Sequence, residues 1–414
     1  MFAALAIWLL FFGATLFYNT AHRLRDAIIA QVRGCPKEID MVSWMGRTAL
    51  EIIGQVGLGH SFDPLTADSD NKYGDALKSL TPQIDQVHEL RRALPYIYWW
   101  GPAWFRRWML KMVPNKHVQN AIPIVDVMDR KSREIFEAKV AAMEGGEETV
   151  LRQVEKGKDI MSILIKANNA ASETDRLCSE EIIAQMSTFV FAATDSTSNT
   201  LARILQLLAL HPEIQEKLRK EILEAHAGDH LPYDELASLP LLDAVCRETL
   251  RVYPPGTTLT REPRKDVVMP LSEPIRGRDG KMISEVPIPK GTEIIVGTIG
   301  INCSKALWGE DASEWRPERW LSPLPDALSN ARVPGVYSNL MTFHGGKRAC
   351  IGFKFSETEM KCIMSVLLTN FIFELSNKPI YWNVAGAWYP SVGKDSDQPQ
   401  MPLKVSMYGG GSSG

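Results

Sequence analysis

Residues 343–352 read Phe-His-Gly-Gly-Lys-Arg-Ala-Cys-Ile-Gly, and this stretch predicts how the rest of the chain is organised. Cys350 is preceded by Lys347 and Arg348, and glycines lie on both sides of it. Neighbouring cations favour the thiolate, which is the form of cysteine that binds metals. Apolar residues at helical spacing follow Gly352, so we expect a helix whose amino-terminal end also favours the anionic sulfur. A lone thiolate cannot assemble a zinc or iron–sulfur site, but it can be the only protein ligand of haem iron.

The stretch resembles the haem-binding signature of the cytochrome P450 family, Phe-x-x-Gly-x-Arg-x-Cys-x-Gly. The matching residues are Phe343, Gly346, Arg348, Cys350 and Gly352. An ordinary buried cysteine is the alternative interpretation, but it does not account for five matched positions. The resemblance implies haem (iron protoporphyrin IX) as the cofactor and Cys350 as the ligand of its iron. The other four residues would then surround the haem.

The composition is that of a globular protein, with 45% hydrophobic and 23% charged residues in 414. The formal net charge is −3, so nothing in the charge balance indicates a nucleic acid as a partner. Six cysteines are scattered without the spacing of a disulfide framework. This pattern is typical of a reducing compartment.

The amino-terminal residues 2–18 (FAALAIWLLFFGATLFY) carry no charge. Their 17 residues reach the short end of the length that a membrane helix needs. Three arginines follow at positions 23, 25 and 33, and the positive-inside rule places the rest of the chain in the cytoplasm. We therefore expect residues 1–18 to be a membrane anchor. The alternatives are a buried helix, or an apolar amino-terminal stretch created by an alternative start of the gene.

The resemblance to the family begins only near Phe17. We expect the usual segment before this point, with its first strands and a haem-contacting helix, to be missing. Residues 19–408 would then form an incomplete haem domain, and residues 409–414 (GGGSSG) a flexible tail. The family also implies the endoplasmic reticulum membrane, with the catalytic domain facing the cytoplasm.

A long helix is predicted over residues 179–210, where apolar stretches flank a polar centre at 193–200. Ser179 is the expected cap. Hydroxyl and carboxyl side chains weaken a helix interior because they compete for main-chain hydrogen bonds. We therefore expect a distorted turn at this centre, of the kind found at functional sites.

Residues 192–197, Ala-Ala-Thr-Asp-Ser-Thr, resemble the oxygen-activation motif of the family. The resemblance implies that Asp195 and Ser196 deliver protons to bound dioxygen, that Ala192 and Ala193 face the haem, and that Phe191 faces the substrate. Two positions depart from the usual pattern. Ala193 replaces a glycine, and Ser196 replaces a threonine but keeps the hydroxyl.

Two further motifs resemble the family. Glu248 and Arg251 are three residues apart, so they share one helix face and can pair. Residues 317–320, Pro-Glu-Arg-Trp, match a second family element, which implies that Arg319 completes a Glu248–Arg251–Arg319 network behind the haem. Arginine suits such a network because its planar guanidinium forms paired hydrogen bonds.

The remaining site predictions also follow from the resemblance. Arg261 and Arg348 would bind the haem propionates. The residues Thr257, Thr258 and Leu259 would face the substrate. Residues 382–392 are predicted to form a hairpin whose turn reaches the substrate pocket.

Residues 75–113 are rich in aromatic and basic side chains. Similar regions of the family form a mobile lid that dips toward the membrane, and this composition suits a membrane interface. An aromatic core shielded from solvent is the alternative.

Together these motifs predict the mainly α cytochrome P450 fold with a small β region and a missing N-terminal portion. The implied activity is a monooxygenase that inserts one atom of O2 into a small hydrophobic organic substrate, in secondary metabolism. Its electrons would come from an NADPH-dependent cytochrome reductase. Two alternatives remain open at this point: a haem-thiolate isomerase, dehydratase or peroxide-using enzyme, and a truncated product without activity.

Overall fold

The computed structural model describes residues 14–66, 72–87, 90, 93–97, 99–144, 159–394, 396 and 398–409. The helices in chain order are α1 (Ala14–Val32), α2 (Met41–Ile53), α3 (Lys72–Asp85), α4 (Leu94–Ile97), α5 (Ala103–Met112), α6 (Lys116–Glu144), α7 (Ile160–Asn169), α8 (Ser179–Leu210), α9 (Pro212–Glu224), α10 (Tyr233–Ala237), α11 (Pro240–Val252), α12 (Thr298–Asn302), α13 (Lys305–Trp308), α14 (Asp326–Ala331) and α15 (Phe353–Asn370).

The strands are β1 (Lys37–Asp40), β2 (Thr258–Arg261), β3 (Val267–Arg276), β4 (Met282–Ile288), β5 (Ile294–Gly297), β6 (Gly335–Tyr337), β7 (Leu340–Gly345), β8 (Phe371–Leu375), β9 (Ile380–Ala385), β10 (Ala387–Val392) and β11 (Pro402–Met407). They form small antiparallel sheets in the orders β1-β11-β8, β2-β5, β3-β4, β6-β7 and β9-β10. The prediction of a mainly helical fold with a small β region is therefore confirmed.

Helix α8 passes through two hydrophobic cores. Its amino-terminal half packs in the smaller core through Ile182, Met186 and Val190, together with α3, α6 and α7. Its carboxy-terminal half packs in the larger core with α1, α2, α11 and α15, through residues such as Leu201 and Leu205. The polar centre lies between the two cores, so apolar packing on both sides holds this segment helical.

The bounds predicted for α8 are correct, but two predicted details are wrong. Cys178 is the N-cap, and its main-chain N–H donates to the carboxylate of Glu181 at 3.0 Å; Ser179 is the first helical residue. No distorted turn interrupts the centre, since residues 179–210 form one α-helix. The distortion lies elsewhere, in the π-helical turn Gly54–Leu58 that follows α2.

The predicted membrane anchor lies mainly outside the described residues, which begin at residue 14. Its last residues are part of α1, where Phe17 and Tyr18 are buried in the larger core. Phe17 packs edge-on against Phe355 of α15, with ring centroids 5.1 Å apart. The predicted boundary at residue 18 stays a prediction, but these two side chains contact protein. Within the described part of the chain, no helix is both long enough and apolar enough to cross a bilayer.

Candidate active site

A largely apolar cavity of about 630 Å³ is lined both by Cys350 and by the centre of α8. Several separate stretches of sequence form its wall. They include α3, α8, the start of α15, β7, the segment before β2, and the turn between β9 and β10. The last of these agrees with the predicted hairpin, since Ala385, Gly386 and Ala387 reach the cavity.

The main chain around Cys350 forms a closed loop. Cys350 N–H donates to the Phe343 carbonyl at 2.8 Å. Between them, Gly346 has a φ of +68° and begins a short 3₁₀ turn, which suits glycine because it has no Cβ. Gly352 is the N-cap of α15, two residues after the cysteine. The loop thus fixes the thiol at the cavity wall, just ahead of a helix as predicted.

Burial raises the pKa of the Cys350 thiol, and a hydrogen bond from the main chain of Gly352 acts in the opposite direction. The Lys347 and Arg348 side chains are both exposed. The thiol instead lies in a largely apolar cavity, where the charged form of an acid is disfavoured.

His344, two residues before Gly346, is the least ordinary residue of the loop. Its φ is +58°, a left-handed conformation that costs a residue with a side chain roughly 1–3 kcal/mol. It lines the cavity, and its Nδ1 atom is buried without a hydrogen-bond partner among the described residues. Burial and the charge of Arg261 lower the pKa of His344, while the main chain of Met341 opposes this shift.

Asp195 lines the cavity but is held by a buried polar cluster. The Thr81 hydroxyl donates to its Oδ2 at 2.8 Å, and Asn199 donates to its Oδ1 at 3.2 Å. Lys78 Nζ lies 3.6 Å from Oδ1 and also donates to the Ser198 hydroxyl. Burial lowers the pKa of Lys78, and the Asp195 carboxylate acts against this shift.

The Ser196 hydroxyl donates to the Ala192 carbonyl, one turn earlier, at 2.7 Å. Ser196 lines the cavity and is less buried than Asp195. One residue further on, Thr197 exchanges a 3.0 Å hydrogen bond with Ser356 of α15. This bond joins α8 to the helix that follows the cysteine.

The predicted Glu248, Arg251 and Arg319 lie together in one buried network. Arg251 donates to both carboxylate oxygens of Glu248 at 2.8 Å, and Arg319 Nε donates at 3.3 Å. Two further donors, which the sequence did not indicate, are the Trp320 indole at 2.9 Å and the Arg316 main-chain N–H at 3.0 Å. The carboxylate therefore has a full set of donors.

This network connects to the strand that leads into the cysteine loop. Arg251 donates to the Asn302 carbonyl at 2.9 Å. The Asn302 side chain donates to Thr342 at 2.8 Å and accepts from Met341 N–H at 2.9 Å. Thr342 in turn donates to the Leu250 carbonyl, beside Arg251, at 2.7 Å. Glu248 and Arg251 thereby fix the position of β7 just before Phe343.

The other predicted residues divide into two groups. Those that line the cavity are Phe191, Ala192, Ala193, Phe343 and Gly352. Those that are not among its described lining residues are Thr257, Thr258, Leu259, Arg261, Gly346 and Arg348.

The predicted substrate-facing segment lies just beyond the cavity wall. Pro255 and Gly256 line the cavity, and β2 begins two residues later. The Arg261 and Arg348 side chains are exposed, and Arg261 donates to the Thr260 carbonyl at 2.9 Å. The sequence also gave no signal for Lys78 and Thr81, which approach Asp195 from α3.

Comparison with known proteins identifies the family. The sequence model described as "Cytochrome P450" matches residues 19–383. Cytochrome P450 monooxygenase 81 of Postia placenta is 59% identical over 95% of this chain and 72% of its own length. Ganoderic acid synthetase CYP5150L8 of Ganoderma lucidum is 50% identical over 94% of this chain and 72% of its own length.

A crystal structure of the cytochrome P450 CYP102L1 has the same fold. It superposes with a TM-score of 0.66 at 22% identity, over 95% of this chain and 73% of that one. The chain belongs to the cytochrome P450 family. It is a haem-thiolate monooxygenase that acts with O2, an organic substrate and a redox partner, and its cofactor is haem.

The residues at the cavity fit a haem group. A thiol lies on the wall, and small side chains at Ala192 and Ala193 leave room on the side of α8. Apart from the adjoining residues of the chain, no described atom lies within 4 Å of the position that a Cβ would take at Gly346 or Gly352. His344 adds a buried ring nitrogen that has no partner among the described residues.

Proposed function

We propose that the cavity holds haem and a hydrophobic substrate side by side, and that the centre of α8 supplies the protons of the reaction. The observation that carries this proposal is that one cavity is lined at once by Cys350, Asp195 and Ser196. When bound, haem supplies the iron at which dioxygen is activated.

Asp195 and Ser196 are suited to proton delivery in different ways. The Ser196 hydroxyl lies at the cavity and can both accept and donate a proton. The Asp195 carboxylate lies beside it and is joined to Thr81, Asn199 and Lys78. Protons would pass from this polar cluster to the hydroxyl and from there into the cavity.

The cofactor would be held by residues on both sides of the cavity. Cys350 is the proposed iron ligand, and the residues proposed to surround the ring are Phe343, Gly346, Gly352, Ala192 and Ala193. Arg261 and Arg348 are proposed to bind the propionates, since guanidinium groups form strong paired hydrogen bonds with carboxylates. Glu248, Arg251 and Arg319 would hold the loop in place through Asn302 and β7.

The substrate is proposed to be an apolar secondary metabolite that contacts Phe191 and the segment Thr257, Thr258 and Leu259. The largely apolar cavity wall supports a hydrophobic molecule. A relative with 50% identity is named for the synthesis of ganoderic acid, which also supports an organic metabolite.

Electrons are proposed to come from an NADPH-dependent cytochrome reductase. Lys347 and Arg348 are exposed residues of the cysteine loop, and Lys354 lies in the first turn of α15. Lys354 pairs with Glu357 at 2.9 Å and Arg348 is proposed to bind a propionate, so Lys347 is the residue of this patch whose charge stays available to a partner. Such a patch would attract an acidic partner surface.

The catalytic domain is proposed to bind the cytoplasmic face of the endoplasmic reticulum membrane. Four tryptophans around α5, Trp99, Trp100, Trp104 and Trp108, are between 53% and 74% exposed, so the alternative of a shielded aromatic core is wrong for them. Tryptophan favours the membrane–water interface, and Arg106, Arg107 and Lys111 in the same segment suit anionic headgroups.

Replacing the four tryptophans with serine should abolish co-flotation with anionic vesicles while haem absorbance is retained.

The proposed function is tested on purified protein reconstituted with haem. The reduced protein under carbon monoxide should show the red-shifted Soret band of a thiolate-ligated haem. With a reductase and NADPH, a hydrophobic substrate should acquire one atom of isotopically labelled O2, measured by mass spectrometry. A stable haem complex with an imidazole-type or unligated spectrum would overturn the assignment of Cys350.

A further inference from the structure

Three consecutive residues at the end of β7, Thr342, Phe343 and His344, line the cavity. Successive side chains of a regular strand point to opposite faces of the sheet. The left-handed conformation of His344, with a φ of +58°, breaks this alternation at the end of β7. The backbone is therefore held in an unfavourable conformation that brings an imidazole to the cavity.

The imidazole has unused hydrogen-bonding capacity. Its Nδ1 atom is buried, with no partner among the described residues. A buried polar atom is normally hydrogen-bonded, and each exception calls for an explanation. A strained backbone that presents such a group is a reason to look for a ligand.

The neighbourhood of His344 favours an anionic ligand. The positive charge of Arg261 is close enough to lower the pKa of His344. Arg261 itself donates only to the adjacent Thr260 carbonyl and forms no ion pair within the described part of the chain. An N–H donor at the cavity with a cation in its neighbourhood is a combination that binds a carboxylate.

We propose that His344 donates a hydrogen bond to a propionate carboxylate of the haem, and that it shares this carboxylate edge with Arg261. The inference rests on the proposed binding of haem in the cavity. His344 thereby acts as a positioning residue for the cofactor, and its left-handed backbone is retained because the imidazole must reach the cavity.

The test compares haem release by two histidine variants. His344→Gly removes the imidazole and places glycine where a left-handed backbone is favourable. His226→Gly is the matched control, because His226 is also left-handed, at a φ of +53°, but is exposed and does not line the cavity. In the haem-free state, neither variant should have a lower free energy of unfolding than the parent.

Each protein is reconstituted with haem or with haem dimethyl ester, which carries no propionate charge. Transfer of the cofactor to an apo-globin is then followed by absorbance. We expect His344→Gly to release haem about tenfold faster than the parent, which matches the loss of one hydrogen bond to a charged group. His226→Gly should release haem at the parent rate. With the dimethyl ester, the parent and His344→Gly should release the cofactor at equal rates.

Three results would overturn the proposal. If His344→Gly releases haem at the parent rate, His344 does not bind the propionate, although the proposed function stands. If the variant accelerates release of haem and of the ester equally, His344 acts through the shape of the cavity. If the parent protein forms no Soret band with haem at all, the proposed function fails together with this inference.

Discussion

The cavity has two walls that are built differently. The cysteine wall consists of β7, residues 346–352 and α15, and the helix wall consists of residues 192–200 of α8 with the facing residues of α3. Behind the cysteine wall, Glu248 accepts from two arginines, an indole and a main-chain N–H. Behind the helix wall, the Asp195 carboxylate has one cation near it, Lys78, together with two neutral donors, Thr81 and Asn199.

The two walls differ in the way that a cavity requires if one wall is to bind a cofactor and the other is to transfer protons. The donors to Glu248 come from several elements that fix one another, so this carboxylate has little freedom to move. The cation near Asp195 is on one side chain, Lys78, whose pKa is lowered by burial. We infer that the cysteine wall is rigid and that the helix wall is where protonation can change.

The largest effect is expected from Cys350→Ala. Within the described cavity lining, Cys350 is the only cysteine, so the variant should lose the thiolate-type carbon monoxide spectrum and all product formation. Single changes of Cys35, Cys178, Cys303 and Cys362 to alanine are the controls, and each should retain the spectrum. A thiolate-type spectrum in Cys350→Ala would mean that the cysteine wall has been assigned to the wrong residue.

The second prediction compares two buried glutamates. Glu248 and Glu359 are both 0% exposed, but Glu359 has no hydrogen-bond partner among the described residues. Glu248→Gln should lower the free energy of unfolding by about 3–5 kcal/mol, because it leaves the buried Arg251 without its counter-charge, whereas Arg319 keeps Asp311. Glu359→Gln should change it by less than about 1 kcal/mol or raise it, because no partner is lost. Chemical denaturation of both variants measures the difference, and equal losses would contradict a special role for the Glu248 network.

The third prediction concerns the helix wall. Asp195→Asn and Ser196→Ala should each slow product formation by roughly 10²-fold, while hydrogen peroxide released per electron consumed increases. Ser196→Thr, which keeps the hydroxyl, is the control and should preserve coupling. The measurement is the ratio of product to NADPH consumed in the reconstituted system. If both disabling variants remain fully coupled, proton delivery does not occur at this wall.

The fourth prediction concerns the pH dependence of stability. Burial raises the pKa of Glu359 well above its usual range. The folded state therefore keeps a proton that the unfolded state releases above pH about 4.3, and stability decreases as the pH rises. Glu359→Gln removes this contribution, so its advantage over the parent in thermal unfolding should grow as the pH rises above about 4.3. An advantage that is independent of pH would show that Glu359 is ionised in the folded protein.

The sequence predicted the parts of the site that depend on local spacing. The bounds of α8 follow from its apolar stretches, and the cysteine loop follows from ten consecutive residues. The sequence could not predict Lys78 and Thr81 beside Asp195, because more than a hundred residues separate the partners and no local pattern connects them. It also placed the distortion in α8, since polar residues weaken a helix in isolation, whereas packing in two cores keeps this helix regular.

Residue 18 shows the same limit at the amino-terminal end. A run of apolar residues has the same appearance whether lipid or protein covers it. Phe17 and Tyr18 are covered by the larger core, and the Tyr18 hydroxyl donates to the Ala227 carbonyl at 2.9 Å, 209 residues away along the chain. Only the tertiary structure reveals that partner.

The fluorescence of the four exposed tryptophans around α5 can report when this segment contacts a membrane. Of the 11 tryptophans in the chain, these four face water, whereas Trp308 is buried. An indole in water emits at longer wavelength than one in an apolar medium. Contact of α5 with a lipid surface would therefore shift the emission of this group toward the blue and leave that of Trp308 unchanged, so docking can be timed without any added label.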